Sequence, residues 1–206
     1  GDFADEVRLS GVNSINWARV AAQVVYYFTS AVALGAPHRE VSFAVPTGNF
    51  GDILAGWVAK KMGLPIQRLM IGTNANDILV RTLEHGAYEL RGVEPTTSPS
   101  MDIQISSNFE RLLFELLDRD PRATAETMTR FRAEGRMPVP DAAWKRATGL
   151  FQGFALSDEG ILEEIRRLYA ESAYLADPHT AVATAAARAL RPEDRGIPVV
   201  VASTAH

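Results

Sequence analysis

Residues Thr47, Gly48, Asn49, Phe50, Gly51 and Asp52 stand between a short apolar run and what reads as an amphipathic helix. A helix amino end offers unpaired backbone N–H groups and a partial positive charge. Glycines just before such an end let the backbone close around an anion with no Cβ in the way. Thr47 and Asn49 add side-chain donors. The chemistry these residues suit is phosphate binding. Metal chemistry has no comparable set: the four histidines, at 38, 85, 179 and 206, lack H-x-x-x-H spacing, and there is no Cys.

Two established phosphate loops do not fit. The nucleoside-triphosphate loop needs a Lys followed by Ser or Thr after its last Gly, and here Asp52 and Ile53 follow. The dinucleotide fingerprint needs G-x-G-x-x-G, whereas these glycines stand at 48, 51 and 56. Two readings remain open from the loop alone. It holds a single terminal phosphate without metal, or it is a glycine-bearing turn that binds nothing. Other polar candidates have simpler accounts. His85 precedes Gly86 at a helix end, His179 belongs with Asp177 to a helix cap, and Asp77 is an early-helix acid favoured by the dipole. Asp102 lies in "TSPSMD", which reads as a rigid turn before a strand.

The elements that must position this loop are legible by period. "NSINWARVAAQVVYYFTSAVALG" is helical, with Asn13 or Ser14 as its cap and Gly35 and Pro37 as its stop. Asn16, Arg19 and Gln23 interrupt its apolar pattern, so it reads as a buried helix rather than a membrane span. "REVSFAV", "IQRLMIG" and "IPVVVAS" are expected as buried strands. Between them fall helices in "DILAGWVAKKMG", "NANDILVRTLEHG" and "DPHTAVATAAARAL", the last capped by Asp177 with Pro178 at its first position. This alternation predicts an α/β fold: an open, mostly parallel sheet flanked by helices. It lapses in the middle, where "SNFERLLFELL" shows a capping box of Ser107 and Glu110 and further helices follow. The expected organisation is therefore 1–106 as the first part of an α/β lobe, 107–175 as a mainly helical insert, and 176–206 as the lobe's final helix and strand.

Bulk properties bound the function. At 206 residues, 47% hydrophobic and 22% charged, the chain can build one good core, or one with a small satellite. A net charge of -4 with no basic run argues against a nucleic-acid partner. With no run of about 18 apolar residues and no signal-like start, the expectation is a soluble, cytoplasmic protein. The abrupt ends, "GDFADEV" and "VVVASTAH", suggest a piece of something larger.

Six stretches in order carry a resemblance: "NSINWAR", "VPTGNFGD", "TNANDIL", "TTSPSMDIQISSNFERL", "DPHTAV" and "STAH". Together they resemble threonine synthase, a pyridoxal-phosphate (PLP) enzyme family of fold type II, the tryptophan-synthase-β-like fold. The resemblance implies conversion of O-phospho-L-homoserine and water to L-threonine and phosphate, a carbon–oxygen lyase reaction of amino-acid biosynthesis. It implies that Thr47, Gly48, Asn49, Phe50 and Gly51 hold the cofactor's phosphate, with Phe50 packing beside the cofactor. Thr204 would face the pyridine nitrogen. Ser14, Asn16 and Arg19 match a polar segment near the substrate, with Arg19 a clamp for phosphate or carboxylate, unless it is a structural ion pair. One departure stands out. The family forms a Schiff base with a Lys in a Phe-Lys-Asp setting, and Lys60, Lys61 and Lys145 all lack that context. The chain therefore resembles a carboxyl-terminal fragment, without the catalytic Lys and the amino-terminal lobe, and inactive by itself. The alternatives are another enzyme of the same fold, such as a serine or threonine dehydratase, or a non-catalytic phosphate-binding module.

Overall fold

The computed structural model describes residues 13–190 and 192–204. His206 and the Ala-His end of "STAH" lie outside them. The main sheet has four strands, all parallel: β1 (Val41–Pro46), β2 (Ile66–Thr73), β5 (Phe151–Ala155) and β6 (Val199–Val201), in the order β5-β2-β1-β6. A small antiparallel pair, β3 (Ala87–Glu89) with β4 (Arg136–Pro138), stands apart. Every residue of β1 is buried, as expected of a central parallel strand covered on both faces. Side-chain alternation then sorts the two layers. Phe43, Val45, Leu69 and Ile71 join one core with helices α1 (Trp17–Ala33) and α2 (Gly51–Lys61). Ala44 and Met70 face the other way, onto Ala183, Ala186 and Leu190 of and just beyond α8 (Pro178–Arg188). The small residues there let α8 lie close to the sheet.

Between β2 and β5 run α3 (Ile78–His85), α4 (Phe109–Leu116), α5 (Pro121–Glu134) and α6 (Asp141–Leu150); α7 (Asp158–Ser172) follows β5. The stretch 107–175 thus holds most of these helices, but its strand β5 belongs to the main sheet. That stretch is divided between the sheet and its surroundings, because the apolar Phe151 fills the core beside β2.

Several local expectations are corrected. Asn16, not Asn13 or Ser14, caps α1: its Oδ1 accepts from the Ala18 N–H at 2.9 Å, while Asn13 Oδ1 accepts from the Ile15 N–H in the turn before the helix. α1 buries one stripe, Val20, Val24, Tyr27 and Ala31, and leaves Trp17, Val25, Tyr26 and Val32 exposed. The capping box of Ser107 and Glu110 does not form. α4 starts one residue later, at Phe109, and the Ser107 hydroxyl donates to Asn49 Oδ1 instead. "TSPSMD" makes a 3-10 turn at Pro99–Met101 with no strand after it. The last strand is half-buried, because it sits at the sheet edge and pairs with β1 alone. Among the described residues, no helix is long and apolar enough to cross a membrane.

Candidate functional site

Parallel strands bring all their carboxyl ends to one edge of the sheet, where open α/β folds bind ligands. β1 ends there at Pro46, and Thr47 anchors the exit: its N–H donates to Gly72 O at 2.7 Å and its hydroxyl to Val45 O at 2.8 Å. The loop that follows is braced through its carbonyls. Gly48 O accepts from the Ser106 hydroxyl at 2.6 Å. Asn49 O accepts from both the backbone and side-chain N–H groups of Asn108, at 3.1 and 2.9 Å. With the carbonyls tied back, the N–H groups are left. From Gly48 through Ile53 none donates to a described residue; the first intrahelical bond is Leu54 N–H to Phe50 O at 3.1 Å. A helix start explains some of these orphans, and the loop before it adds more.

Each glycine has its own reason. A Cβ on Gly48 would lie 2.7 Å from Ser100 O, so the loop closes on the 3-10 turn only without a side chain. Gly56 belongs to the helix contact instead: a Cβ there would meet the Tyr27 ring at 2.6 Å. The left-handed turn falls on Phe50, with φ 62. Its ring is buried, edge-on to Phe109 at 5.6 Å and tilted against Phe151 at 5.9 Å. Phe50 is thus a core aromatic whose burial holds the backbone in a conformation few non-glycine residues adopt. The residue also stands on the wall of a cavity.

The residues that carry these N–H groups line a cavity of about 410 Å³. Ser14, Arg19, Thr47 to Ile53, Ser100, His179 and Thr204 are on its wall. The structure therefore brings together every expected site residue except Asn16, which is occupied in capping α1. Thr47 differs in what it offers, since its hydroxyl proton already serves Val45 O. Arg19 is exposed and makes no ion pair among the described residues. Asp52, in the first turn of α2, also lines the cavity. Burial pushes its carboxyl up to about 6, with the Tyr27 hydroxyl and Arg19 pulling the other way. Tyr27 O–H itself donates to the Asp52 backbone carbonyl at 2.9 Å. The three lysines are elsewhere: Lys60 donates to Ile66 O, Lys61 lies over the Trp57 ring, and Lys145 is on α6. None lines the cavity. A larger groove of about 600 Å³ between Trp17, Trp57 and Phe114 is mostly apolar and lacks the convergent backbone donors.

Sequence reasoning missed two contributors. His179 was assigned to a cap, yet its ring is buried on the cavity wall. Ser100 and Met101 close the cavity over Gly48. The order of "TTSPSMD" along the chain gave no sign that this turn meets the loop.

No protein-family model matches the chain. The threonine synthase of Pseudomonas aeruginosa is 51% identical over 209 residues, which cover 99% of this chain and 44% of that protein. The PLP-bound threonine synthase of Brucella melitensis superposes with a TM-score of 0.93 at 53% identity, over 100% of this chain and 44% of that one. The chain belongs to the threonine synthase family. It spans less than half the length of these relatives. Maize serine racemase, at 11% identity and a TM-score of 0.56 over 91% of this chain, shares the fold alone. The expected α/β sheet of fold type II is thus found.

Proposed function

We propose that the chain is the cofactor-cradling part of a PLP-dependent threonine synthase. The observation that carries this reading is the row of unpaired N–H donors from Gly48 to Ile53 on one wall of a cavity that Thr204 also lines. A terminal phosphate fits the donors, and the closure of Gly48 on Ser100 leaves them on fixed supports. The pyridine nitrogen would then meet the Thr204 hydroxyl, and Arg19 would take an anionic group of the substrate. Bound PLP supplies an electron sink for the removal of protons from an amino-acid substrate. The chain's residues bind and orient: backbone donors at the phosphate, a hydroxyl at the ring, a guanidinium at the open side.

The whole enzyme would convert O-phospho-L-homoserine and water to L-threonine and phosphate, as a carbon–oxygen lyase of threonine biosynthesis in the cytoplasm. The amine that carries the cofactor, and the lobe that closes over it, would come from outside these residues. In support, Lys60, Lys61 and Lys145 do not line the cavity. The test is direct. The chain is titrated with PLP and with inorganic phosphate, then assayed for threonine formation from O-phosphohomoserine. Binding of both probes without turnover is expected. Failure to bind either one overturns the cradle, and turnover by the chain alone overturns the fragment reading.

A further inference from the structure

Asp177 caps α8 and commits its carboxylate fully. Oδ1 accepts from the backbone N–H groups of His179 at 2.9 Å and Thr180 at 3.2 Å, and Oδ2 accepts from the Thr180 hydroxyl. Burial opposes its ionisation, but the hydrogen bonds from Thr180 and His179 hold its pKa below the ordinary Asp value. An ionised carboxylate only accepts. His179 Nδ1, 3.2 Å from Oδ1, therefore carries a proton and donates it. Thr180 gives its proton to Asp177, so the Ser203 hydroxyl donates to Thr180 Oγ1 at 3.0 Å. The residue before Thr204, the cap of α8 and the His179 ring thus form one directed unit.

The other ring nitrogen is the unexplained group. His179 Nε2 is buried and has no hydrogen-bond partner among the described residues. The residue is 9% exposed and stands on the wall of the cavity with Gly48 and Thr204. A cap requires only the backbone N–H of position 179, which any residue but Pro supplies. It does not require a buried imidazole, and an unpartnered buried ring nitrogen is unfavourable.

We propose that His179 contacts the ligand of this cavity, Nε2 accepting a hydrogen bond from a hydroxyl of the phosphate-bearing ligand while Asp177 fixes the ring through Nδ1–H. This rests on the reading that the cavity takes PLP. It makes His179 a binding residue of the site rather than part of a cap.

Two measurements test it on the unaltered chain and its variants. In the histidine ¹⁵N spectrum, added PLP is expected to move the Nε2 resonance of His179 while Nδ1 stays hydrogen-bonded to Asp177. Inorganic phosphate as a second probe tells whether the phosphate group suffices. In PLP titrations, His179→Ala is expected to lose roughly ten- to hundredfold in affinity, the scale of one hydrogen bond to a charged group. His179→Gln, whose amide reaches the Nε2 position, should recover part of it. If the unaltered chain binds PLP, Gly48→Val abolishes binding, and neither the Nε2 resonance nor the His179→Ala affinity changes, the proposal falls and the cradle stands. If the unaltered chain binds neither probe, the cradle falls and this proposal with it. Should His179→Ala fail to fold, the spectrum of the unaltered chain still decides.

Discussion

Gly48 follows a strand paired on both sides, whereas Thr204 follows a three-residue strand paired on one side alone. The two stand on the wall of one cavity, and they are built to different standards. Around Gly48 the carbonyls of Gly48 and Asn49 are tied to side chains from a distant part of the sequence, Ser106 and Asn108, and the Thr47 N–H is tied to the Gly72 carbonyl. Thr204 is exposed and also borders a second cavity of about 380 Å³ with Arg19 and Gln23. Preorganisation costs least where binding is generic, as with a phosphate, because fixed donors need not move. The looser side carries the groups that would meet the variable parts of a ligand.

The comparison is sharpened first by a variant that touches neither part. At the other end of β2, Arg68 and Asp194 form a buried ion pair at 2.8 Å, their side chains 8% and 1% exposed. Asp194→Ala leaves a buried cation with only the Gly149 carbonyl. The expected loss is about 3–5 kcal/mol in urea denaturation, with PLP affinity unchanged where the chain remains folded. A parallel loss of affinity would mean that the cavity is not held locally.

Gly48→Val comes next. The added Cβ meets a backbone oxygen at 2.7 Å, which no side-chain rotation relieves. Stability should fall by about 1–3 kcal/mol, and PLP binding should vanish although the fold persists by circular dichroism. Binding within threefold of the unaltered chain, roughly 0.7 kcal/mol, would reduce the loop to a turn.

Asp52 gives a pH signature. Its folded pKa, about 6, lies above the ordinary 3.8, so the folded chain keeps a proton that the unfolded chain has released between those values. Stability contributed by this group is present below about pH 4 and lost as pH rises through 6. Asp52→Asn should therefore be more stable than the unaltered chain above pH 6, by on the order of 1–2 kcal/mol given its partial exposure. Below pH 4 the two should coincide. An equal stability difference at both extremes would assign the effect to packing instead.

How much of this was legible in the sequence follows the same division. The loop, the alternation of strands and helices and the cap at Asp177 each depend on neighbours within a few residues, and period and residue type reveal such features. The partners of the loop are another matter. Asn108 reaches back to Asn49 and Ser14, and Ser107 serves Asn49 rather than its own helix. Long-range pairing overrode a capping box that was locally sound. Phe50 is a related case: it stands among polar neighbours in the sequence, and only the packing of Phe109 and Phe151 shows that its ring is buried. His179 was hidden because its backbone serves the cap, which accounted for its position and left its ring without a question.

The smallest effect belongs to Thr204, and it separates the two parts of the wall most finely. Ser203 is engaged with Thr180, while the Thr204 hydroxyl makes no hydrogen bond to a described residue and stands at the border of both cavities. A neutral hydroxyl at a pyridine nitrogen shares one hydrogen bond, worth about 0.5–1.5 kcal/mol net. Thr204→Val keeps the shape and removes that bond, so PLP should bind about two- to tenfold more weakly. The fold should not change, since no described residue loses a hydrogen-bond partner. Thr204→Asp makes the opposite change: a carboxylate stabilises a protonated nitrogen, and the absorbance of bound PLP should shift. A structural role for Thr204 would give the reverse pattern, a lower melting temperature with affinity and spectrum intact. The contrast with Gly48 then has a physical meaning. The rigid part of the wall supplies most of the binding and tolerates no side chain, and the loose part tunes the ring and tolerates substitution.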